Sequence, residues 1–191
     1  MKLETLTASQ AAKLLENKEV SSVELTQACL DRIELRNGEV GAFAHIDPEF
    51  SLKQAALADS EPRRSSFQGV PFGVKDVIDT KDFLTERGTP IHAGRQPVAD
   101  AKCVQLMREA GAVLLGKLVS TEYAMFTPNE TRHPLDLTRT AGGSSSGTGA
   151  AVADNMVPLA FGNQTAGSLI RPAAYCGVYG LKPTHGTTDG A

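Results

Sequence analysis

Apolar residues in the first third of the chain recur at the spacing of amphipathic helices. Thr7 with Gln10, and Ser21 with Glu24, have the spacing of capping boxes, which satisfy the free backbone amides at a helix start. The apolar residues after each pair fit one helix face: Ala11, Leu14 and Leu15, then Val23, Leu30 and Ile33. We therefore predict two amphipathic helices before any sheet.

Shorter apolar runs follow these two helices. Residues 42–46 predict a short strand, residues 50–58 predict a helix, and the polar stretch 59–66 predicts a loop rather than a domain linker. The β-branched run after this loop is typical of a strand.

In that strand, alternation separates two sets of side chains. It places Val70, Phe72 and Val74 on one face, and Gly73 with Lys75 on the other. Glycine has no side chain, so we expect Gly73 to leave room beside the lysine.

Helix and strand patterns alternate through the rest of the chain. Residues 99–110 predict a helix and residues 112–117 a buried strand. Another helix is expected to begin inside the Ser-Gly tract 141–149, before candidate strands at 157–161 and 178–181. The alternation predicts an α/β fold. The last residues form a turn-like tail without a closing element, so the domain is expected to be truncated.

Composition and charge restrict the function classes. The 191 residues, 41% hydrophobic and 21% charged, suffice for one buried core. A net charge of −3 without a Lys/Arg run argues against nucleic acid as a partner. The sequence has neither a signal-peptide core nor an apolar run of membrane-spanning length, so we expect a cytoplasmic protein with no membrane partner.

Cysteines and histidines are scattered along the chain. They show neither CxxC spacing nor close histidine pairs, so the sequence predicts no disulfide framework, no metal site and no cofactor. The three cysteines are Cys29, Cys103 and Cys176, and the four histidines are His45, His92, His133 and His185.

Two turns rich in small residues carry serines that could share one site. The first is the tract 141–149, which includes Ser144, and the second is the turn 164–168, which ends at Ser168. Small residues let backbone amides approach a ligand, and serines in such turns act as nucleophiles, proton relays or anion donors. These residues alone leave the three roles open.

Other interpretations of the tract are weaker. A flexible linker would separate domains, whereas this tract leads directly into an apolar helix and strand. A phosphate-binding loop would end in Gly-Lys-Ser/Thr or follow GxGxxG spacing, and neither is present. Gly143–Gly147 matches the GxSxG nucleophile elbow of esterases, with Ser145 as nucleophile, but the polar, proline-containing stretch 131–140 is unlike the strand that should precede it.

Lys75 is unusual because it lies in the middle of an apolar strand. Most lysines are solvated surface charges, but burial there would favour the neutral amine. Lowering a lysine pKa from about 10.4 to about 7 requires roughly 4 to 5 kcal/mol, which burial can supply. A neutral Lys75 would be a base, and the neighbouring Asp76 is expected to form a salt bridge with an Arg or Lys elsewhere.

Separate blocks of sequence now carry a resemblance to a known family. They are Gly69–Asp76, Gly142–Gly147, Gly162–Gly177 and Gly180–Pro183, in this order. Together they resemble the amidase signature family. The resemblance implies a mixed, twisted β-sheet covered by helices on both faces, and an amidohydrolase that acts on a small-molecule amide.

The resemblance also assigns roles to individual residues. Ser168 corresponds to the family's nucleophile, Ser144 to the bridging serine that follows a cis peptide bond, and Lys75 to the terminal base. In this scheme, Lys75 draws a proton through Ser144 while Ser168 attacks the amide carbonyl. The scheme needs no histidine.

An oxyanion hole and a supporting set complete the implied site. The backbone N–H groups of Thr165, Ala166 and Gly167, with that of Ser168, are expected to bind the oxyanion. The supporting residues by the same resemblance are Gly143, Ser145 and Ser146.

The chain departs from the family pattern in sequence and in length. Gln164 stands where many members have Asp, a variant more typical of general amidases than of the amidase-like subunits of amidotransferases. Members are much longer, so we expect 1–191 to be one incomplete domain, mainly helical over 1–66 and catalytic over 67–191. An inactive fragment, a component similar to the amidase-like subunit of a glutamine-dependent tRNA amidotransferase, and a homodimer stay open.

Overall fold

The computed structural model describes residues 2–184, 186 and 187, and these form a mixed α/β fold. His185 and residues 188–191, which belong to the expected turn-like tail, lie outside the described residues, as does Met1. The six α-helices of the described part are Ala8–Glu16 (α1), Ser22–Val40 (α2), Pro48–Ser60 (α3), Lys102–Glu109 (α4), Ser146–Ala153 (α5) and Ile170–Cys176 (α6).

Six strands form two sheets in the described part of the chain. They are Phe43–Ile46 (β1), Pro71–Lys75 (β2), Val113–Leu118 (β3), Arg132–His133 (β4), Asp136–Thr140 (β5) and Ala160–Phe161 (β6). The main sheet has the order β1-β3-β2-β6. In it β1 runs antiparallel to β3, while β3 and β6 both run parallel to β2. Strands β4 and β5 form a separate antiparallel pair.

Both predicted capping boxes are present. The amide of Thr7 donates to the side-chain oxygen of Gln10, and the same reciprocal arrangement joins Ser21 and Glu24. Helix α2 is capped at its C-terminal end by Gly41, which adopts a left-handed conformation with φ of 64°. That conformation suits glycine because it has no Cβ, and it turns the chain into β1.

Helices cover both faces of the main sheet, as expected from the family resemblance. On one face, α2 and α5 contribute Ile33 and Ala151 to a core that includes Leu115 and Leu118 of β3. On the other face, Val104 and Met107 of α4 pack on β2 and β3, where the core residues are Phe72, Val74 and Leu114. Lys75 therefore points toward the α2/α5 face, opposite Val74.

A bulge in β3 changes which residues share a face. Phe72 pairs with Leu114, but the next residue, Gly73, pairs with Gly116, so Leu115 is an extra residue in β3. Because side chains alternate along a strand, one extra residue reverses the faces of all residues after it. As a result Lys117 lies on the α4 face, whereas unbroken alternation would place it with Leu115.

Several sequence predictions of secondary structure were wrong. Residues 178–181 are not a strand, and Tyr179 and Leu181 are exposed. The strand expected at 157–161 is reduced to the two residues of β6. Helix α6 was not predicted; it has seven residues and contains Pro172, so its helical pattern is weak. Among the described residues, every helix is too short or too polar to cross a bilayer.

Candidate active site

Lys75, the last residue of β2, is completely buried. Its Nζ lies 2.6 Å from the hydroxyl oxygen of Ser144 and 2.7 Å from the side-chain oxygen of Asn163. Burial lowers the pKa of Lys75 to about 7, because removal of water disfavours the charged form. The expected desolvation of this lysine is therefore present. Both of its hydrogen-bond partners are uncharged.

Gly73 does leave space, but Leu118 fills it. A Cβ at Gly73 would lie 2.8 Å from Cδ1 of Leu118. The leucine side chain thus lies over the strand next to Lys75, and Lys75 and Leu118 are paired in register. The absence of a side chain at position 73 lets an apolar group exclude water from the lysine.

Ser144 is buried at the start of the loop that leads into α5. The peptide bond between Gly143 and Ser144 is cis, as the family resemblance implied. The carbonyl oxygen of Ser144 accepts a hydrogen bond of 3.1 Å from the amide of Thr121. A Cβ at Gly143 would lie 3.0 Å from Cγ2 of Thr121. This close approach accounts for a glycine before the serine.

Ser168 lies beside the tract, and the backbone fixes it there. Its carbonyl oxygen accepts a 3.0 Å hydrogen bond from the amide of Ser145, so the second turn is attached to the residue next to Ser144. Ser168 is half-buried. Its hydroxyl makes no hydrogen bond to any described residue. The structure thus brings Lys75 and Ser144 into direct contact, and Ser168 next to them without a direct hydroxyl contact.

The turn before Ser168 presents free backbone donors. Within residues 2–184, 186 and 187, the N–H groups of Thr165, Ala166, Gly167 and Ser168 have no hydrogen-bond acceptor. Thr165 and Ala166 are exposed and Gly167 is half-buried. Such donors are available to an oxyanion.

Gln164 fixes the far side of the same turn. Its side-chain oxygen accepts from the amides of Leu169 and Ile170, at 3.1 and 3.0 Å. Amides at the first turn of a helix have no partner within the helix, so Gln164 serves the start of α6. The residue that departs from the common family pattern therefore holds the turn that carries Ser168.

Comparison with known proteins identifies the family. The amidase family matches residues 24–188 of the chain. The chain belongs to the amidase family. It is 43% identical to a glutamyl-tRNA(Gln) amidotransferase subunit from Chloroflexus aggregans, over 96% of the chain and 40% of that protein. The corresponding protein of Legionella pneumophila is 39% identical, with the same coverage of 96% and 40%.

A solved amidase has the same fold. The peptide amidase of Stenotrophomonas maltophilia is 33% identical and superimposes with a TM-score of 0.82, over 89% of this chain and 38% of that one. The chain thus spans about 40% of the length of the curated relatives it matches.

Ser145 and Ser146 of this amidase-family chain are buried and hydrogen-bonded. The hydroxyl of Ser145 donates to the carbonyl oxygen of Asn163 at 3.1 Å, and the hydroxyl oxygen of Ser146 accepts from Asn129 at 3.1 Å. A nucleophile-elbow serine would be exposed, whereas Ser145 is 1% exposed. Strand β5 does precede the tract, contrary to the sequence prediction, but it pairs only with β4.

Asn163 was missed by sequence analysis, although it contacts Lys75 directly. Its position between a strand and the Gln164–Ser168 turn gives no signal of its own, because its contact with Lys75 depends on the pairing of β2 with β6. Among the described residues, no group of three or more His, Cys, Asp or Glu side chains is arranged to hold a metal ion.

Asp76 forms no salt bridge with a described residue, so that expectation was wrong. Its buried carboxylate accepts hydrogen bonds from the amides of Glu86 and Gly88, at 3.1 and 3.2 Å. Burial raises the pKa of Asp76, while Lys117 and the two amides act to lower it. Backbone amides therefore take the place of the expected Arg or Lys.

Proposed function

We propose that this member of the amidase family hydrolyses a carboxylic amide through an acyl-enzyme on Ser168, with Lys75 as base and Ser144 as relay. The observation that carries the proposal is the 2.6 Å contact between Lys75 Nζ and Ser144 Oγ in a setting that lowers the lysine pKa to about 7. A neutral amine can accept a proton near pH 7, whereas a solvated lysine cannot.

In the proposed first step, the Ser168 oxygen attacks the amide carbonyl carbon. The Ser168 proton moves to the Ser144 oxygen, and the Ser144 proton moves to Lys75. Negative charge forms on the carbonyl oxygen, next to the free amides of Thr165, Ala166, Gly167 and Ser168. Collapse of this intermediate breaks the C–N bond, and the leaving nitrogen takes the proton from Lys75 through Ser144.

The second step repeats the first with water in place of Ser168. Water attacks the Ser168 ester and gives its proton through Ser144 to Lys75, and the released Ser168 oxygen takes that proton back. The products are a carboxylate and ammonia or an amine. The substrate is proposed only as a small carboxylic amide.

The test of this function is acyl transfer to hydroxylamine. The protein is incubated with a simple carboxamide and hydroxylamine, and the hydroxamate is measured. We expect Ser168→Ala to abolish product, and Ser66→Ala, at an exposed loop serine, to leave it unchanged. Retained activity in Ser168→Ala would exclude Ser168 as the nucleophile. The esterase alternative predicts instead that Ser145→Ala stops turnover while Ser168→Ala does not.

A second candidate is the role of a subunit in a glutamyl-tRNA(Gln) amidotransferase. The curated relatives with 39 and 43% identity are named as subunits of that enzyme, which favours it despite Gln164. In this role the same serine would release ammonia from glutamine for transfer to another carboxyl group. Ammonia release from simple amides by the protein alone supports the amidohydrolase, whereas release from glutamine that requires added partner proteins supports the second candidate.

The domain boundaries, the homodimer and the cytoplasmic location remain predictions. A single domain over residues 1–191 is supported by one apolar cluster in which α1 packs against Val70, next to β2. This cluster joins the helical region 1–66 to the segment that carries Lys75.

A further inference from the structure

Lys75 has a second partner besides Ser144. The side-chain oxygen of Asn163 lies 2.7 Å from Lys75 Nζ, at the short end of the range for an N–H···O hydrogen bond. A carboxamide oxygen can only accept a hydrogen bond. The contact therefore uses one N–H of the lysine amine.

The sheet and the serine tract fix Asn163 at this point. Strand β6 runs parallel to β2, with Val74 paired to Phe161, so the chain leaves β6 two residues before Asn163, beside the end of β2. The carbonyl oxygen of Asn163 then accepts from the Ser145 hydroxyl at 3.1 Å. A Cβ at Gly162 would lie 2.8 Å from the same hydroxyl oxygen, so the backbone here lies tightly against the tract.

A neutral lysine amine has two N–H bonds and one lone pair. With one N–H donated to Asn163, rotation about the terminal C–N bond is restricted, and the lone pair can be held toward the Ser144 hydroxyl. We propose that Asn163 is a positioning residue, whose carboxamide oxygen orients the Lys75 amine so that it accepts a proton from Ser144. The inference deepens the proposed function and rests on it for the role of Lys75.

The surroundings of Lys75 make Asn163 a sensitive position. The residue of β3 that faces Lys75 is Leu118, because Lys117 lies on the opposite face of the sheet. The serine tract and the start of α5 contribute only small, uncharged residues near it, and the turn 162–168 contains no charged side chain. In the sequence, the charged residue next to Lys75 is Asp76, whose carboxylate accepts from the amides of Glu86 and Gly88. The first charged residue after the turn 162–168 is the exposed Arg171 of α6. Within the described part of the chain, a charge at position 163 would thus be the first in direct contact with Lys75.

Two substitutions at this position should act in opposite directions. Asn163→Asp keeps the acceptor and adds a negative charge, which favours the ammonium and should raise the pKa of Lys75 by about 1 or more. Asn163→Leu keeps the approximate size and removes the acceptor, which should lower that pKa. Because Asn163 is exposed, neither change opens the core.

The experiment is a direct titration of Lys75 by NMR in protein labelled with 13C and 15N lysine, with the signal assigned from its loss in Lys75→Met. We expect a midpoint near 7 in the parent, a higher midpoint in Asn163→Asp and a lower one in Asn163→Leu. Asn155→Asp, the same change two residues after the end of α5, should leave the midpoint unchanged. Equal midpoints, or shifts in the same direction in both position-163 variants, would overturn the proposal.

A second measurement separates orientation from a simple effect on charge. On the high-pH plateau of kcat/KM, Asn163→Asp should match the parent, because its carboxylate still accepts from the amine. Asn163→Leu should fall by about 10-fold to 100-fold, because the amine is no longer held. A plateau in Asn163→Leu equal to the parent contradicts the positioning role. If the titrations behave as expected but the parent cleaves no amide, the proposed function fails and the Lys75–Asn163 interaction stands.

Discussion

Lys75 and Lys117 lie on neighbouring strands of one sheet, and both are completely buried. Lys75 faces α5 and contacts two uncharged groups, and burial lowers its pKa to about 7. Lys117 faces the other way, and burial lowers its pKa to about 8, against the attraction of Asp76 and Asp79.

The two lysines also differ in how completely they are hydrogen-bonded. Lys117 Nζ donates to the carbonyl oxygen of Ile78 and to the hydroxyl oxygens of Thr85 and Thr80, at 2.5, 2.6 and 3.4 Å. Three acceptors match the three N–H bonds of an ammonium. Among the described residues Lys75 has two partners: Asn163 accepts from one N–H, and the Ser144 hydroxyl faces the lone pair, which matches a neutral amine. Burial alone therefore does not make a lysine a base; the partners decide which protonation state fits.

The largest effect that tests this comparison is on activity. Lys75→Met should lower kcat/KM by about 10² to 10⁴-fold, because the proposed base is removed, while the fold is retained. Lys117→Met is the matched change on the other face and should act mainly on stability. Steady-state kinetics on amide hydrolysis measure the difference. An equal loss of activity in two well-folded variants would remove the distinction between the lysines.

The next effect is on stability. Lys117→Met should lower the free energy of unfolding by about 2 to 4 kcal/mol, because it leaves buried acceptors unpaired and removes the positive charge that lowers the pKa of the buried Asp76. Denaturant unfolding followed by circular dichroism measures it. Lys53→Met, at an exposed position of α3, is the control and should change stability by about 0.5 kcal/mol or less. A stable Lys117→Met would mean that the acceptors find other partners.

Sequence analysis predicted the buried position of Lys75 but not that of Lys117. Lys75 was predictable because it interrupts an apolar strand within a family block. The capping boxes of α1 and α2 were predictable because they are local patterns that need no tertiary information. Lys117 also interrupts an apolar strand, β3, but it lies outside the family blocks, and its face depends on the bulge at Leu115. Bulges arise from strand pairing, which composition does not encode. Asn163 was hidden for the same reason, since only the pairing of β2 with β6 brings it to Lys75.

A smaller effect tests how water is excluded from Lys75. Gly73→Ala adds a Cβ 2.8 Å from Leu118, and such overpacking should destabilise the fold by about 1 to 3 kcal/mol. It should also raise the pKa of Lys75, because a displaced Leu118 admits water. Gly38→Ala is the matched control, since a Cβ in that turn of α2 meets nothing within 4 Å; there alanine should stabilise the helix by about 0.5 to 1 kcal/mol. Equal stability of Gly73→Ala and the parent would show that Leu118 moves freely.

The smallest effect is the pH dependence of stability, and it separates the two lysines by their pKa values. Both are lowered from 10.5, to about 7 for Lys75 and about 8 for Lys117. Above its folded pKa, each lysine has lost its proton in the folded state but keeps it in the unfolded chain up to about 10.5. The unfolded chain then binds more protons, so the free energy of unfolding rises with pH.

Between pH 7 and 8 this rise, at most about 1.4 kcal/mol per pH unit for one proton, comes mainly from Lys75. Denaturant unfolding at pH 7 and pH 8 should therefore show a smaller rise in both variants than in the parent, with the larger reduction in Lys75→Met. The same loss in both variants would mean that the two lysines deprotonate together, and the uncharged surroundings of Lys75 would then not set it apart.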